Sequence, residues 1–217
     1  MSLLKLEKIN TIIWDWNGTL LNDIDICIQS INQLLATRNL PILEKEYYLN
    51  VFGFPVKDYY QRIGFDFSKE PFEIPANEFI ELYSANLTQA ILHPSVSEIL
   101  HHYKEKGYLQ LVLSASEQNK LTEALEYFGI DSYFEMAVGL DHDFATSKID
   151  LGIEMLKKLA ISPKTVCLVG DTTHDYSVAK ALGCECILIA NGHQNRRKLE
   201  KTEATILDNL NDLLTLI

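Results

Sequence analysis

Three short apolar runs do most to limit how this chain can fold: YLQLVLSAS, TVCLVGD and CECILIA. Runs this apolar suit strands buried on both faces, as in a parallel sheet. The segments between them carry apolar residues at spacings of three and four, the period of an amphipathic helix. The pattern predicts a strand over 108–116, a helix over 117–128 and a short strand near 136–140. A helix over 148–160, a strand over 165–171, a helix over 175–182 closed by Gly183, and a strand over 184–190 follow. A last helix is expected around 206–216, from Leu207, Leu210, Leu213 and Leu214. Ahead of them, Ser95 and Glu98 have capping-box spacing before Val96, Ile99, Leu100 and Tyr103, and Gly107 ends that helix. Strands alternating with helices imply right-handed crossovers and a mainly parallel sheet covered on both faces, an α/β fold.

The first strand stands apart. It lies in TIIWDWNGTLLND, over residues 11–15, and Asn17-Gly18 breaks it. From Asp23 a helical pattern runs through Ile24, Cys27, Ile28, Ile31, Leu34 and Leu35, with Asn22 or Asp23 as its cap. Residues 21–91 hold no parallel-sheet strand and read as helices around 44–51, 56–63 and 76–89, punctuated by Pro55, Gly64, Pro71 and Pro75. The expected organisation is a core of residues 1–20 and 92–217 with an all-helical cap, 21–91, inserted.

A net charge of −11 argues against a nucleic-acid partner, which needs clustered Lys and Arg. No apolar stretch approaches the roughly 20 residues of a membrane span, and the N-terminus has no signal-peptide pattern. Cys27, Cys167, Cys184 and Cys186 sit in apolar surroundings and read as buried reduced thiols, which fits a cytoplasmic protein. Cys184 and Cys186 share a strand face, but no second pair completes a zinc site.

In parallel sheets, ligands bind beyond the carboxyl ends of the strands. That rule selects Asp15, Asn17 and Thr19; Ser114, Ala115 and Ser116; and Asp171, Thr172 and Asp175, with Lys148 in a loop before its helix. Asp15 and Asp171, at two strand ends, suit a hard cation such as Mg²⁺. Asp175, four residues on, can face the same ion. Lys148 can hold a phosphoryl oxygen as a point charge and Ser114 can donate to one. An aspartate beside such a cation is a reasonable covalent nucleophile toward phosphorus.

These residues resemble the motifs of the haloacid dehalogenase (HAD) superfamily, in its Mg²⁺-dependent phosphatase branch with a helical cap, phosphoglycolate-phosphatase-like. DWNGTL is similar to its first motif, LVLS to the second, the SK of Ser147-Lys148 to the third and GDTTHD to the fourth. All occur in the family's order, and the resemblance covers nearly the whole chain. It implies a Rossmannoid core and hydrolysis of the phosphate ester of a small phosphorylated metabolite. It implies Asp15 as nucleophile, and Mg²⁺ bound by Asp15, Asp171 and the Asn17 backbone carbonyl, with Asp175 nearby. It implies Ser114, Ala115, Thr19 and Lys148 on the substrate, and a monomer or homodimer. VFGFPVKDYY resembles the cap stretch that contacts substrate.

The departure is Asn17. The resemblance implies an aspartate there as general acid and base, and an amide transfers no proton at neutral pH. Three expectations stay open. One is a phosphatase with unusual proton handling, through His174, bulk water or an easily released leaving group. The second is C–P cleavage like that of phosphonoacetaldehyde hydrolases, with Lys57 forming a Schiff base. The third is a weak or inactive protein that binds a phosphorylated ligand. His193 is expected near the site mouth without a role. Arg196 and Arg197 are expected as a solvated helix start.

Overall fold

The computed structural model describes residues 8–140 and 147–216. In chain order, strand β1 is Thr11–Trp14 and β2 is Leu21–Asn22, followed by helices α1 (Ile24–Thr37), α2 (Lys45–Val51), α3 (Val56–Arg62) and α4 (Glu73–Asn86). Then come β3 (Ile91–Leu92), α5 (Val96–Glu105), β4 (Leu109–Glu117), α6 (Gln118–Tyr127), β5 (Met136–Leu140) and α7 (Lys148–Lys158). The chain closes with β6 (Val166–Gly170), α8 (Thr173–Leu182), β7 (Glu185–Ile189), α9 (Arg196–Leu199), β8 (Thr205–Leu207) and a 3₁₀ turn over Leu210–Thr215.

Six strands form one parallel sheet in the order β5-β4-β1-β6-β7-β8. The α/β expectation holds. β1 and β6 lie side by side inside the sheet, and every residue of both is buried. After β1 the chain adds β4 on one side and β6 on the other. That is a topological switch point, so the ends of these three neighbours open into one crevice. One apolar cluster, around Trp14, Ile99, Leu100 and Val112, fills one face of the sheet. A second, around Ile13, Leu113, Leu156 and Leu168, fills the other.

Helices α1–α4 close on a separate core of Ile31, Leu34, Leu35, Tyr48, Tyr59, Tyr60 and Phe65. The chain leaves and returns through β2 and β3, a two-residue antiparallel ribbon pairing Leu21 with Leu92. Two residues are too few to show as a strand pattern.

Several local expectations are corrected. Residues 205–207 form an edge strand on β7 rather than the start of a helix. Asn209 and Asp212 make a capping box that begins the helical turn only at Leu210, so the leucine spacing misleads. Ser95 caps α5 from a left-handed conformation (φ 66°) without a side-chain hydrogen bond. Asp23 precedes α1 but makes no side-chain cap, because its carboxylate is engaged elsewhere. Gly183 takes the left-handed form expected of it (φ 78°). Three of the four free cysteines are buried, and Cys184 is half-buried.

Candidate active site

Asp15 follows β1 directly, and its amide donates to Val169 O on β6, which fixes it at the strand end. The chain then turns sharply: the amides of Thr19, Leu20 and Leu21 all point to Trp16 O. Gly18 makes that turn possible with φ 76°, and a Cβ there would collide with the Asp171 carboxylate and the His193 ring. Asp171 follows β6. Thr172 and Asp175 then form a capping box that starts α8. Lys148 is the first residue of α7, behind the Ser147–Asp150 capping box.

These elements converge on one buried charge cluster. Lys148 Nζ donates to Asp15 Oδ1 (2.5 Å) and to Asp175 Oδ1 (2.6 Å). The Thr19 hydroxyl lies 3.2 Å from both Asp15 Oδ2 and Asp171 Oδ1, so its single proton serves one at a time. The His193 amide donates to Asp171 Oδ2. Carboxylate oxygens of Asp15, Asp171 and Asp175 lie within 4.8 Å of one another. Burial raises the Asp15 carboxyl to about 6 against the pull of Lys148. Burial also lifts Asp171 well above its ordinary range, against the pull of His193 and helped by repulsion from Asp15 and Asp175. Two acids pressed toward neutrality by burial and by neighbouring carboxylates are a site that a hard cation would relieve, so the residues fit Mg²⁺. Asp175 lends less to an ion: its Oδ2 already accepts from the Thr172 hydroxyl and from the amides of Asp171 and Thr172.

The other expected residues divide. Ala115 and Asn17 line the pocket above Asp15. Thr19 is almost fully buried, with its hydroxyl turned to the carboxylates, and it is not among the residues that line the pocket. Ser114 is also fully buried, and its Oγ accepts from the Ser116 amide; Ser116 is the hydroxyl on the pocket wall. Lys57 is exposed, its ammonium stands over the Phe67 ring at 5.6 Å, and it is not among the residues that line the pocket. The side of α3 that lines the pocket carries Val56, Tyr59 and Tyr60.

Asn17 is locked. Its Nδ2 donates to Asp23 Oδ2 (2.9 Å) and to the Tyr83 hydroxyl (2.7 Å), and its Oδ1 accepts from Ser116 Oγ (2.7 Å). Tyr83 in turn donates to Asp23. Asp23 also accepts from the Gly18 amide and pairs with His193 Nε2 at 3.1 Å. The other ring nitrogen of His193 meets the Tyr48 hydroxyl at 2.9 Å. Burial pulls the Asp23 carboxyl up, but the His193 charge and four hydrogen-bond donors outweigh it and hold it at about 2. Burial pulls His193 down, and Asp23, then Asp171 and Asp15, overturn that and raise it to about 9. Asp23 and His193 are thus an ion pair inside the protein. Sequence reasoning gave neither a site role. Applying the strand-end rule to β7 would have pointed at His193, three residues past Ala190.

The pocket is a cavity of about 560 Å³ between the sheet ends and the helical unit. Phe52, Phe54, Tyr59, Tyr60, Phe79 and Ile80 form much of its wall. His174 stacks on Phe54 with ring centroids 4.5 Å apart.

Comparison with known proteins agrees with this geometry. A family model for haloacid dehalogenase-like hydrolases matches residues 12–189. A phosphoglycolate phosphatase of Haemophilus influenzae is 28% identical over 216 residues, covering 94% of this chain and 96% of that protein. The tyrosine-protein kinase PtkA of Mycobacterium tuberculosis is 24% identical over 207 residues, covering 93% of this chain and 69% of that one. A haloacid dehalogenase-like hydrolase from Streptococcus pneumoniae superposes with a TM-score of 0.84 at 17% identity, over 96% of this chain and 98% of that one.

Proposed function

The chain belongs to the haloacid dehalogenase-like hydrolases, and on that footing we propose that it hydrolyses the phosphate ester of a small metabolite through attack by Asp15. The observation that carries this reading is the cluster at the switch point. Asp15 and Asp171, from adjacent strands, share one buried hydroxyl while Lys148 touches Asp15. The similarity to phosphoglycolate phosphatases supports a phosphate ester as substrate.

Asp15, Asp171 and the backbone carbonyl of Asn17 are the groups that would hold Mg²⁺, which when bound offsets the charge of the phosphoryl oxygens. Asp15 attacks phosphorus in line, the bond to the leaving oxygen breaks, and the phosphoryl group is carried on the carboxylate. Water then displaces it as inorganic phosphate and restores Asp15. Lys148 is placed to bind a phosphoryl oxygen. Asp175 holds Lys148 and the loop after β6, and Thr19 keeps the two acids facing each other. Ser116 and Ala115 stand where β4 meets the pocket, with Ser114 bracing the turn through Ser116. Among the described lining residues the lysines are Lys120 and Lys148, which favours ester hydrolysis over a Schiff-base route through Lys57. Four cysteines without a disulfide are consistent with work in a reducing cytoplasm. Among the described residues no helix is long and apolar enough to cross a membrane.

The test is phosphate release from a panel of phosphate esters, with Mg²⁺ or with chelator, by the wild type and Asp15→Asn. Release should need both the metal and Asp15. Equal release by Asp15→Asn would overturn the assignment.

A further inference from the structure

The wall above Asp15 offers a substrate far more ring and hydrocarbon than charge. Phe52, Phe54, Tyr59, Tyr60, Phe79 and Ile80 surround the space beyond the carboxylates. No arginine is present among the described lining residues. Lys148 is held by Asp15 and Asp175. Lys120 donates to Ser84 Oγ at 2.7 Å, and Glu117 also lines the pocket. A second anionic group on the substrate, such as a carboxylate near the phosphate, would enter a wall where Asp15, Asp23, Glu117, Asp171 and Asp175 outnumber Lys120, Lys148 and His193, which is unfavourable. An aromatic ring would instead find edge and face partners on several sides.

A separate observation concerns the bond that breaks. Asn17 lines the same pocket, both its amide hydrogens are committed to Asp23 and Tyr83, and its carbonyl is committed to Ser116. It has no proton to give a departing oxygen. With no proton from that residue, a leaving group that is stable as an anion is favoured. A phenol ionises near pH 10, as tyrosine does. An aliphatic alcohol holds its proton about as firmly as water, near 15.7. The bare wall and the missing acid select the same chemistry.

We propose that the substrate is a small aryl phosphate, a phosphate monoester whose bridging oxygen sits on an aromatic ring. The proposal rests on the phosphatase reading above. Asp15 forms a new O–P bond while the P–O(aryl) bond breaks. The electron pair stays on the aryl oxygen, which leaves as phenolate and takes a proton from water. Water then bonds to phosphorus as the bond to Asp15 breaks, so ester and water yield a phenol and inorganic phosphate. The source is a free small molecule, because α3 and α4 supply part of the wall around the ring.

The experiment compares kcat and KM for phenyl phosphate, benzyl phosphate and 2-phosphoglycolate with Mg²⁺ present. Benzyl phosphate keeps the ring but leaves as an alkoxide, so it separates fit from proton demand. Phenyl phosphate should exceed 2-phosphoglycolate in kcat/KM by roughly 10²-fold. Benzyl phosphate should lose roughly 10²-fold in kcat/KM. 2-Phosphoglycolate matching or beating phenyl phosphate would overturn the proposal, and so would benzyl and phenyl phosphate with equal kcat/KM. A phosphotyrosyl peptide cleaved as fast as phenyl phosphate would overturn the small-molecule assignment. No release from these three, with release from another ester of the panel, would overturn the aryl proposal alone, and no release from the whole panel would overturn the phosphatase reading with it. Calorimetry with phenylphosphonate and phosphonoacetate then decides the pocket independently: tighter phenylphosphonate supports an aromatic ligand, and equal or weaker binding removes it.

Discussion

At the scale of one residue, position 17 decides how this site handles protons. A carboxylate there would face Asp23 Oδ2, which now receives the Asn17 amide at 2.9 Å. Two acids that close ionise in two steps, one of them displaced upward, which is what a general acid needs. Asn17→Asp should therefore raise kcat toward alkyl phosphates by roughly 10²–10⁴-fold, while adding like-charge repulsion that lowers the melting temperature. Adding Asp23→Asn should not restore that stability, because it takes the carboxylate partner from His193. Steady-state rates on benzyl phosphate and thermal melts of the single and double variants check both parts. An unchanged rate would mean that another group already supplies the proton. Asp15, Asp171 and Lys148 are legible in the sequence for a simple reason. Each stands at the edge of a strongly patterned element, and a parallel sheet brings its strand ends together. Thr19 and Ser114 are legible as polar residues at those ends, but not as buried ones. Their burial depends on a tight turn and on the Ser116 amide, neither of which leaves a pattern in the chain.

At the scale of elements, the helical unit is tied to the sheet by more than its two-residue ribbon. Asp23 at the start of α1, Tyr48 on α2 and Tyr83 on α4 all reach a cluster that includes Asn17 and His193. The loop after β7 adds a second tie, since Asn195 N donates to Leu49 O and Gln194 Nε2 to Phe52 O. None of this is legible from periodicity. Asp23 and His193 are 170 positions apart, and each alone reads as an ordinary turn or cap residue. Removing one member of a buried ion pair strands the other, so His193→Ala should cost about 3–5 kcal/mol of stability. It should also cost activity, because the His193 charge favours the ionised form of Asp171. Denaturant unfolding of His193→Ala checks the first, and a loss below about 1 kcal/mol would contradict the ion-pair account. Helices and strands are otherwise legible in type. The exceptions are β2, β3 and β8, which are short enough that tertiary pairing, not local pattern, creates them.

At the scale of the molecule, the buried charges make stability depend on pH with a definite sign. His193 rises from 6.5 to about 9 on folding, so its contribution is full below pH 6.5 and lost as pH climbs through about 9. Asp23 falls from 3.8 to about 2, so its contribution is present above pH 3.8 and lost as pH drops through about 2. Asp15 rises from 3.8 to about 6, so without a cation its contribution is lost between those values as pH increases. The metal-free protein should be most stable at mildly acidic pH, and Mg²⁺ should raise its melting temperature more at pH 8 than at pH 5. His193→Gln should remove the alkaline limb and leave the Mg²⁺ response. Melting curves across pH, with and without Mg²⁺, check this, and a Mg²⁺ shift independent of pH would contradict it. Position 17 also bears on both chemical steps. With an amide at position 17, neither the departure of the leaving group nor the attack of water receives help from that residue. An ester with a good leaving group should pass the first step and wait at the second. The most direct measurement is a rapid-quench time course with the fastest ester of the panel and Mg²⁺, followed by peptide mapping. The account predicts a burst of leaving group equal to the enzyme sites, a slower steady state, and a phosphoryl group on the peptide that carries Asp15. Linear release from the first turnover, with no phosphoryl group on Asp15, would contradict it.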